Sequence, residues 1–343
     1  TNALNLHTEC DNDVTVITAI IDNPSGYGRI VKDADKISAI VEQKDASESQ
    51  LLIKEVNSGA YWCKISTLLS ILDEFESDNS QNEFYLTDAI SIILNRGGNA
   101  GAFTADDPKI ILGANDKRAL YNLHKIASDE VINKHFDNGV EFLSLDGVII
   151  GRNVKIGANA KIHAGTIIKG DSIIGEDSII GPNTVIDNCI VGNRSILNSV
   201  QAYNSTISSD VKIGPFVHIR PNSEIKSGVK IGDFVEVKNS TIEEDTSIAH
   251  LTYVGDSDVG KKVNFGCGCV TVNYDGSKKS RTIIKDRAFI GCNTNLIAPV
   301  TIGEGAYTAA GSTITKDVPD HALGIERGTQ TNKEGYALKK LKK

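Results

Sequence analysis

Isoleucine recurs every six residues at Ile150, Ile156, Ile162, Ile168, Ile174, Ile180 and Ile186. A helix repeats every ~3.6 residues and a plain strand every 2, so neither sets a strict period of six. Six is the period of a hexapeptide parallel β-helix, in which short strands and tight turns alternate around a solenoid. The register returns at Ile213, Ile219, Ile225, Ile231 and Val237, and again at Ile284, Ile290, Leu296 and Ile302. Each of these residues is expected to point inward and to stack on its counterpart one coil away, giving a core of aliphatic ladders. Gly follows many of them, as at Gly151, Gly175, Gly214 and Gly303, where a turn begins. The pattern places a solenoid of nine or ten coils from about Val148 to Val318, at ~18 residues per three-sided coil. It breaks between Asn188 and Val211, and again between Asn273 and Thr282. The second break, Asn273 to Arg281, is polar and basic. Loops ejected from a solenoid usually carry its function.

Residues 1 to 115 read differently, as a mixture of strands and helices. Strands are expected at Val14 to Ile21, after the turn Gly26-Tyr27-Gly28, at Ile37 to Glu42 and at Glu55 to Trp62. Apolar spacing predicts helices over Leu68 to Phe75 and Asp88 to Leu94, with short strands at Phe103 and Ile110 to Leu112. The class is α/β, without a periodic βαβ unit at its start. A helix is expected from Asp116 to about Phe136, with Leu120, Leu123, Ile126, Val131 and Ile132 as its apolar stripe and Asn115 or Asp116 as its cap. The domain reading is therefore 1–115, a helical linker over 116–147, and the solenoid with its tail over 148–343.

Composition narrows the function classes. The net charge is −8 over 343 residues, which argues against nucleic-acid binding, a function that needs a basic face. The last segment is locally basic, at Lys333, Lys339, Lys340, Lys342 and Lys343, and it reads as a solvated tail. No apolar run approaches the ~18 residues of a membrane span. The six cysteines form no secretory framework, and no signal peptide is visible, so a cytoplasmic location is expected. Cys267-Gly268-Cys269 lacks the usual metal-binding spacing and sits where small residues fill cramped turns. The chain contains no Met and opens at Thr1 in mid-pattern, which reads as a fragment lacking its N-terminal part.

A β-helix has no enzymatic meaning by itself, so function must come from the polar residues that interrupt it. Four stretches do so: Ile219-Arg220-Pro221, Val235-Glu236-Val237-Lys238, Ala249-His250-Leu251-Thr252-Tyr253-Val254-Gly255-Asp256, and Asn273-Tyr274-Asp275-Gly276. Their separations are near whole coils: Arg220 to Lys238 is 18 residues and Lys238 to Tyr253 is 15, and residues one coil apart stack on the same face. Arg220 and Lys238 would stack on one face as a cationic site for a phosphate. His250 is expected close by, as a neutral imidazole able to accept a proton near pH 7. Tyr253 and Asn264 would orient a sugar. A lone histidine on a coil is usually a satisfied surface residue; here Arg, Lys, His, Tyr and Asn converge.

The stretch AHLTYVGD, followed by VNFGCG and VTVNYDG, resembles the acetyltransferase signature of the GlmU family. GYGRIV, IVEQKDA, EVNSGAY and GAND resemble that family's uridyltransferase half. Members are bifunctional N-acetylglucosamine-1-phosphate uridyltransferases and glucosamine-1-phosphate N-acetyltransferases, and the resemblance covers essentially the whole chain. It implies a nucleotidyltransferase-like (Rossmann-like) α/β part, a connector helix and a left-handed parallel β-helix. It implies His250 as general base and Arg220, Lys238, Tyr253 and Asn264 as sugar-phosphate ligands. Cys267, Asn273, Tyr274, Cys292, Ala310 and Arg327 would contact acetyl-CoA. Gly28, Glu42, Asn57 and Asn115 would contact the UDP-sugar, with Asn115 also a magnesium ligand. The resemblance further implies UTP as the second co-substrate, small molecules as partners, and a homotrimer with acetyl-CoA between adjacent solenoids.

Two departures from the family pattern stand out. Cys267 and Cys292 occupy positions where many relatives carry Ala and Ser. The family's opening Gly-rich loop with its Arg and Lys, and the magnesium-binding Asp after it, are absent from this sequence, so acetyl transfer is expected of it and uridylyl transfer is not. Two other classes compete. One is a sugar-phosphate nucleotidyltransferase whose solenoid is only regulatory or oligomeric, which would lack the His-Tyr and NYDG sites. The other is a zinc hydratase, which needs three converging histidines; His163, His218, His250 and His321 do not recur at coil spacing.

Overall fold

The computed structural model describes residues 2–77, 83–114 and 116–341. The chain divides into two compact units, Thr1–His124 and Lys125–Lys343.

In the first unit a five-stranded mixed sheet runs in the order β3-β2-β4-β1-β5. Its strands are β1 (Val14–Ile20), β2 (Arg29–Asp33), β3 (Lys36–Val41), β4 (Glu55–Cys63) and β5 (Ala100–Thr104). The strand expected at Val14 to Ile21 forms as β1, between β4, which is antiparallel to it, and β5, which is parallel. Val14, Val16 and Ala19 are fully buried. A helix over Asn2–Glu9, which apolar spacing did not suggest, precedes β1, and its His7 imidazole bonds Thr15 Oγ1 at 2.9 Å.

Three local differences have local causes. The helix expected at Leu68 to Phe75 is split into Ile65–Ser70 and a single 3-10 turn, Leu72–Glu74, around the fully buried Ile71. The expected helix near Asp88 runs Ala89–Asn95 and buries Ala89, Ile90 and Ile93. The strand expected at Ile110 to Leu112 is instead a 3-10 turn, Pro108–Ile111. Pro108 opens it with its fixed φ, and the Asp107 carboxylate accepts from the Lys109 N–H at 2.9 Å. The long helix runs Lys117–Asp137, and Asp116 caps it by accepting from Ala119 N–H at 2.7 Å. No described helix is long and apolar enough to cross a membrane.

The second unit is a left-handed parallel β-helix. Its strands form three parallel sheets of ten, nine and eleven strands among the described residues. The first face begins at Ile149–Ile150 and ends at Thr313–Ile314, the second begins at Lys155–Ile156, and the third runs from Glu141–Phe142 to Leu323–Gly324. The first-face ladder passes through Ile150, Ile168, Ile186, Ala202, Ile219, Val237 and Val254. Ile168, Ile186 and Ile219 have no solvent exposure. Buried hydroxyls lace the coils as well: Ser178 Oγ donates to Gly192 O at 2.9 Å and accepts from Ser195 N–H at 3.1 Å.

The two breaks in the hexapeptide pattern have different meanings. Between Asn188 and Val211 the solenoid continues without interruption. Its coils shorten instead, so that Ile186 pairs with Ala202 and Ala202 with Ile219. The residues saved come out of the turns, where Asn188, Ser199 and Asn204 take left-handed backbone angles. After Asn273 the chain does leave the coil. Thr271 pairs with Leu296 across the excursion, and Tyr274 and Lys279 form an antiparallel bridge at its base.

Candidate active site

The coil register places the candidate residues in two columns of the solenoid. At the end of the first face, Arg220 N–H bonds Val237 O at 2.8 Å, which sets Arg220 beside Lys238 in the next coil. Lys238 in turn pairs with Gly255, and Tyr253 pairs with Glu236. The spacing argument had set Tyr253 over Lys238; that coil holds 17 residues, so 15 falls two short. Tyr253 nevertheless reaches the cluster, because its ring lies over Gly255, where an added Cβ would meet it. Asn273 Nδ2 sits 3.5 Å from the Tyr253 hydroxyl.

The charges here are arranged around one buried carboxylate. Asp256 is 5% exposed and accepts from the amides of Asn239 and Asn273. Burial alone would raise its pKa. The two amides and the Lys238 and Lys279 ammoniums outweigh burial and hold it below the usual carboxylate range. Lys238 Nζ lies 3.9 Å from Asp256 Oδ2. The neighbouring Lys279, together with burial, pulls the Lys238 ammonium below its ordinary value, against the opposing pull of Asp256. Arg220 is paired with Glu236 at 2.8 Å. The first face thus carries the Lys238 ammonium with the Arg220 guanidinium one coil away, and Lys279 of the ejected loop lies near enough to act on Lys238.

His250 ends a third-face strand, Ser247–His250, at the corner that leads into the first face. Its side chain is exposed, and its Nδ1 lies 3.9 Å from Asp233 Oδ1, one coil below. Among the described residues no hydrogen bond or ion pair joins it to Arg220 or Lys238. A groove of about 400 Å³ runs beside it, lined by Lys212, Lys230, Asp233 and Ser247 among others. The same corner carries Cys267, Cys292 and Ala310 in consecutive coils. Gly268 N–H bonds His250 O at 3.4 Å, Asn293 N–H bonds Cys267 O at 2.7 Å, and Gly311 N–H bonds Cys292 O at 2.8 Å. Arg327 Nη1 closes the column on Ala310 O at 3.1 Å. Asn264 lies on the third face, in register with Ser247. Tyr274 is exposed in the ejected loop, its hydroxyl donating to Gly276 O at 2.7 Å.

In the first unit, Gly28, Glu42 and Asn57 come together. Gly28 O accepts from Asn57 N–H at 2.9 Å, and a Cβ added at Gly28 would lie 3.0 Å from Glu42 Oε1. Burial first, and then the carboxylates of Asp45 and Asp88, raise the Glu42 pKa against the pull of Arg29. Glu42 lines a cavity of about 510 Å³ together with Tyr85, Thr87 and Asp88. The Thr87 hydroxyl is buried there without a hydrogen-bond partner among the described residues. Burial pushes the nearby Tyr61 hydroxyl, which bonds the Asn57 side chain, up to about 12. Asn115 lies outside the described residues. Among the described residues no group of three His, Cys, Asp or Glu side chains is arranged to hold a metal ion.

Four side chains in these sites were not singled out by spacing. Asp233 precedes His250 by one coil, a signal the register supplies once the coil length is known. Asp256 ends the AHLTYVGD stretch, and Lys279 lies in the basic loop. Thr87 has no periodic signal, and only its burial marks it.

The family described as "Bacterial transferase hexapeptide (six repeats)" matches residues 153–188, 204–239 and 281–316. The chain is 49% identical over 338 residues to the bifunctional protein GlmU of Caldanaerobacter subterraneus subsp. tengcongensis, covering 98% of this chain and 74% of that one. It is 47% identical over 340 residues to GlmU of Acetivibrio thermocellus, covering 99% and 74%. It is 48% identical over 334 residues to GlmU of a Geobacillus species, covering 97% and 73%.

Proposed function

The chain belongs to the GlmU family of bifunctional proteins, and we propose that its solenoid transfers an acetyl group from acetyl-CoA to the amine of glucosamine 1-phosphate. The observation that supports this reading best is the cationic cluster on the first face, with the imidazole of His250 three residues before Tyr253. Lys238 and Lys279 repel each other where they stand, and a phosphate between them relieves that repulsion. Arg220 adds a planar donor set, and Tyr253, Asn264 and Asn273 offer hydrogen bonds to the sugar.

The chemistry follows from the amine. Glucosamine 1-phosphate arrives as an ammonium and must lose a proton before it attacks. The Asp233 carboxylate beside His250 Nδ1 favours the proton on that nitrogen, which leaves Nε2 to act as base. His250 passes that first proton to solvent; the free amine then attacks the thioester carbonyl, the imidazole takes the second proton that the nitrogen sheds as the amide forms, the C–S bond breaks, and the thiolate leaves with that proton from the imidazolium. No covalent enzyme intermediate is needed. Cys267, Cys292, Ala310 and Arg327 are read as the acetyl-CoA side, with Asn273 and Tyr274. Within one chain His250 and Asn264 lie off the face that holds Lys238, and this separation supports a homotrimer whose adjacent solenoids share the site.

The product, N-acetylglucosamine 1-phosphate, is the acceptor for the family's second activity, uridylyl transfer from UTP to give UDP-N-acetylglucosamine. Gly28, Glu42, Asn57 and Asn115 are read as its UDP-sugar side, and magnesium at Asn115 would offset charge on the departing pyrophosphate. We read the setting as cytoplasmic and the partners as small molecules. The test is thiol release from acetyl-CoA in the presence of glucosamine 1-phosphate. His250→Ala is expected to lower the rate by ~10²–10⁴. A His250→Ala rate within about threefold of the parent, far short of a lost general base, refutes the base assignment. No acetylation by the parent refutes the function itself.

A further inference from the structure

The outward column of the third face changes character along the solenoid axis. It reads Lys212, Lys230, Ser247 and Asn264, then Phe289, Tyr307 and Leu323 in the coils that follow. Phe289 and Tyr307 stack with ring centroids 5.2 Å apart and planes 23° from parallel. Both face outward, at 39% and 53% exposure. The corner residues Cys267, Cys292 and Ala310 each follow, at an interval of three, the face residues Asn264, Phe289 and Tyr307. An apolar strip and the corner column therefore run side by side through the same coils. Among the described residues the N–H groups of Cys267, Cys292 and Ala310 meet no acceptor. The corner thus offers a line of free donors beside a line of rings.

That combination suits one kind of ligand, an extended chain in which amides alternate with methylene groups. Neighbouring coils lie ~4.8 Å apart, so Phe289 and Tyr307 sit about 10 and 14 Å along the axis from the level of His250. A thioester whose acyl group is at His250 would bring its distal arm to these rings. We propose that the Phe289–Tyr307 stack is the apolar wall on which the pantetheine arm of acetyl-CoA lies. The inference rests on the acetyl-CoA reading above and adds two residues that the family pattern did not assign. It also predicts selectivity: the rings act on donors long enough to reach them and leave shorter thioesters untouched.

The experiment compares three acetyl donors: acetyl-CoA, acetylpantetheine and the short S-acetyl-N-acetylcysteamine. For Phe289→Ala and Tyr307→Ala, KM for the two long donors is expected to rise about three- to tenfold, the scale of one lost aromatic contact. KM for the short donor and for glucosamine 1-phosphate should stay where it was, as should the sedimentation mass. Tyr307→Phe keeps the ring and should behave as the parent. An unchanged KM for acetyl-CoA overturns the proposal. So does an equal loss with all three donors, or a change in sedimentation mass, since either makes the strip a structural seam. Titration of CoA into the parent separates the two readings. A parent that neither acetylates nor binds CoA removes the acetyltransferase reading, whereas an active parent with indifferent variants removes only the aromatic wall.

Discussion

Gly255→Ala isolates the position of the Tyr253 ring without touching a charge. Gly255 does not use the left-handed region, so alanine suits its backbone. Its N–H bonds Thr271 Oγ1 at 2.7 Å, and a methyl group leaves that bond in place. The methyl would, however, lie 2.5 Å from Tyr253 Cζ and 2.7 Å from Cε1, with the hydroxyl nearer still; ordinary contact begins at 3.4 Å. The obstructing atoms all belong to the far end of one side chain, so the ring yields and the coil does not. It must retreat by roughly 1 Å, which takes the hydroxyl out of reach of Asn273 and away from Arg220. Displacement by 1 Å at a positioning group is worth up to ~10² in rate, or about 2.7 kcal/mol at 1.36 kcal/mol per decade. The expected result is a fall of about that size in kcat/KM for glucosamine 1-phosphate, with the melting temperature little changed. The decisive control is the double variant. In a Tyr253→Ala background, Gly255→Ala should have no further effect, because there is no ring left to move. A Gly255→Ala enzyme within about threefold of the parent, against the loss expected of a displaced ring, refutes the reasoning. So does a loss that persists when Tyr253 is already alanine.

Two further predictions concern the charges. Arg220→Ala and Lys238→Ala should each raise KM for glucosamine 1-phosphate, by the equivalent of a charge-assisted contact of ~1.5–3 kcal/mol, while KM for acetyl-CoA stays near the parent value; equal effects on both substrates would mean that the pair binds something else. Asp256→Asn replaces one of two acceptor oxygens with a donor facing Asn239 or Asn273, and should lower stability by ~1.5–3 kcal/mol near neutral pH. The native carboxylate has a depressed pKa, so its contribution is fully present above the ordinary aspartate value near 4 and is lost as pH falls through the lower folded value. Melting curves of parent and variant should therefore run a constant distance apart from pH 8 to about 5 and converge below about 4; a gap that is unchanged at pH 3 would show that Asp256 contributes through packing and not through charge.

The solenoid was legible because one rule repeats. A six-residue period sends every ladder residue inward, and the same rule sorts the outward residues into columns. The rule failed where coil length varied. The shortened turns at Asn188, Ser199 and Asn204 looked like a break in the fold, because a count of six cannot register residues removed from a turn. The same arithmetic put Tyr253 over Lys238 when the 17-residue coil puts it over Glu236. In the first unit no single period exists. Apolar spacing found β1 and the Ala89–Asn95 helix, whose buried positions are regular. It missed the 3-10 turn at Pro108, where a proline and a capping aspartate set the conformation and only Ile111 is buried.

The site was less legible than the fold, and for a physical reason. Residue types report which chemistry is possible, and coil number reports which coil a residue occupies, but neither reports the corner. His250 and Tyr253 are three residues apart in sequence, yet the turn at Leu251, with φ of +44°, carries one to the end of the third face and the other onto the first. That single turn decides which groups one chain can bring together. Lys238, Asp256, Asn273 and Lys279 converge within the chain because the ejected loop starts at the end of the first face and returns over it. His250 instead faces the groove of Asp233, Lys212 and Lys230. An acetyl transfer that uses both His250 and the Lys238 cluster therefore needs a substrate that wraps the corner, or a second solenoid that brings its own face to it. Either way, the distance from His250 to the Lys238 cluster is fixed by backbone geometry at Leu251 and Thr252, where Thr252 Oγ1 donates to His250 O at 2.7 Å, and not by the side chains proposed to perform the chemistry.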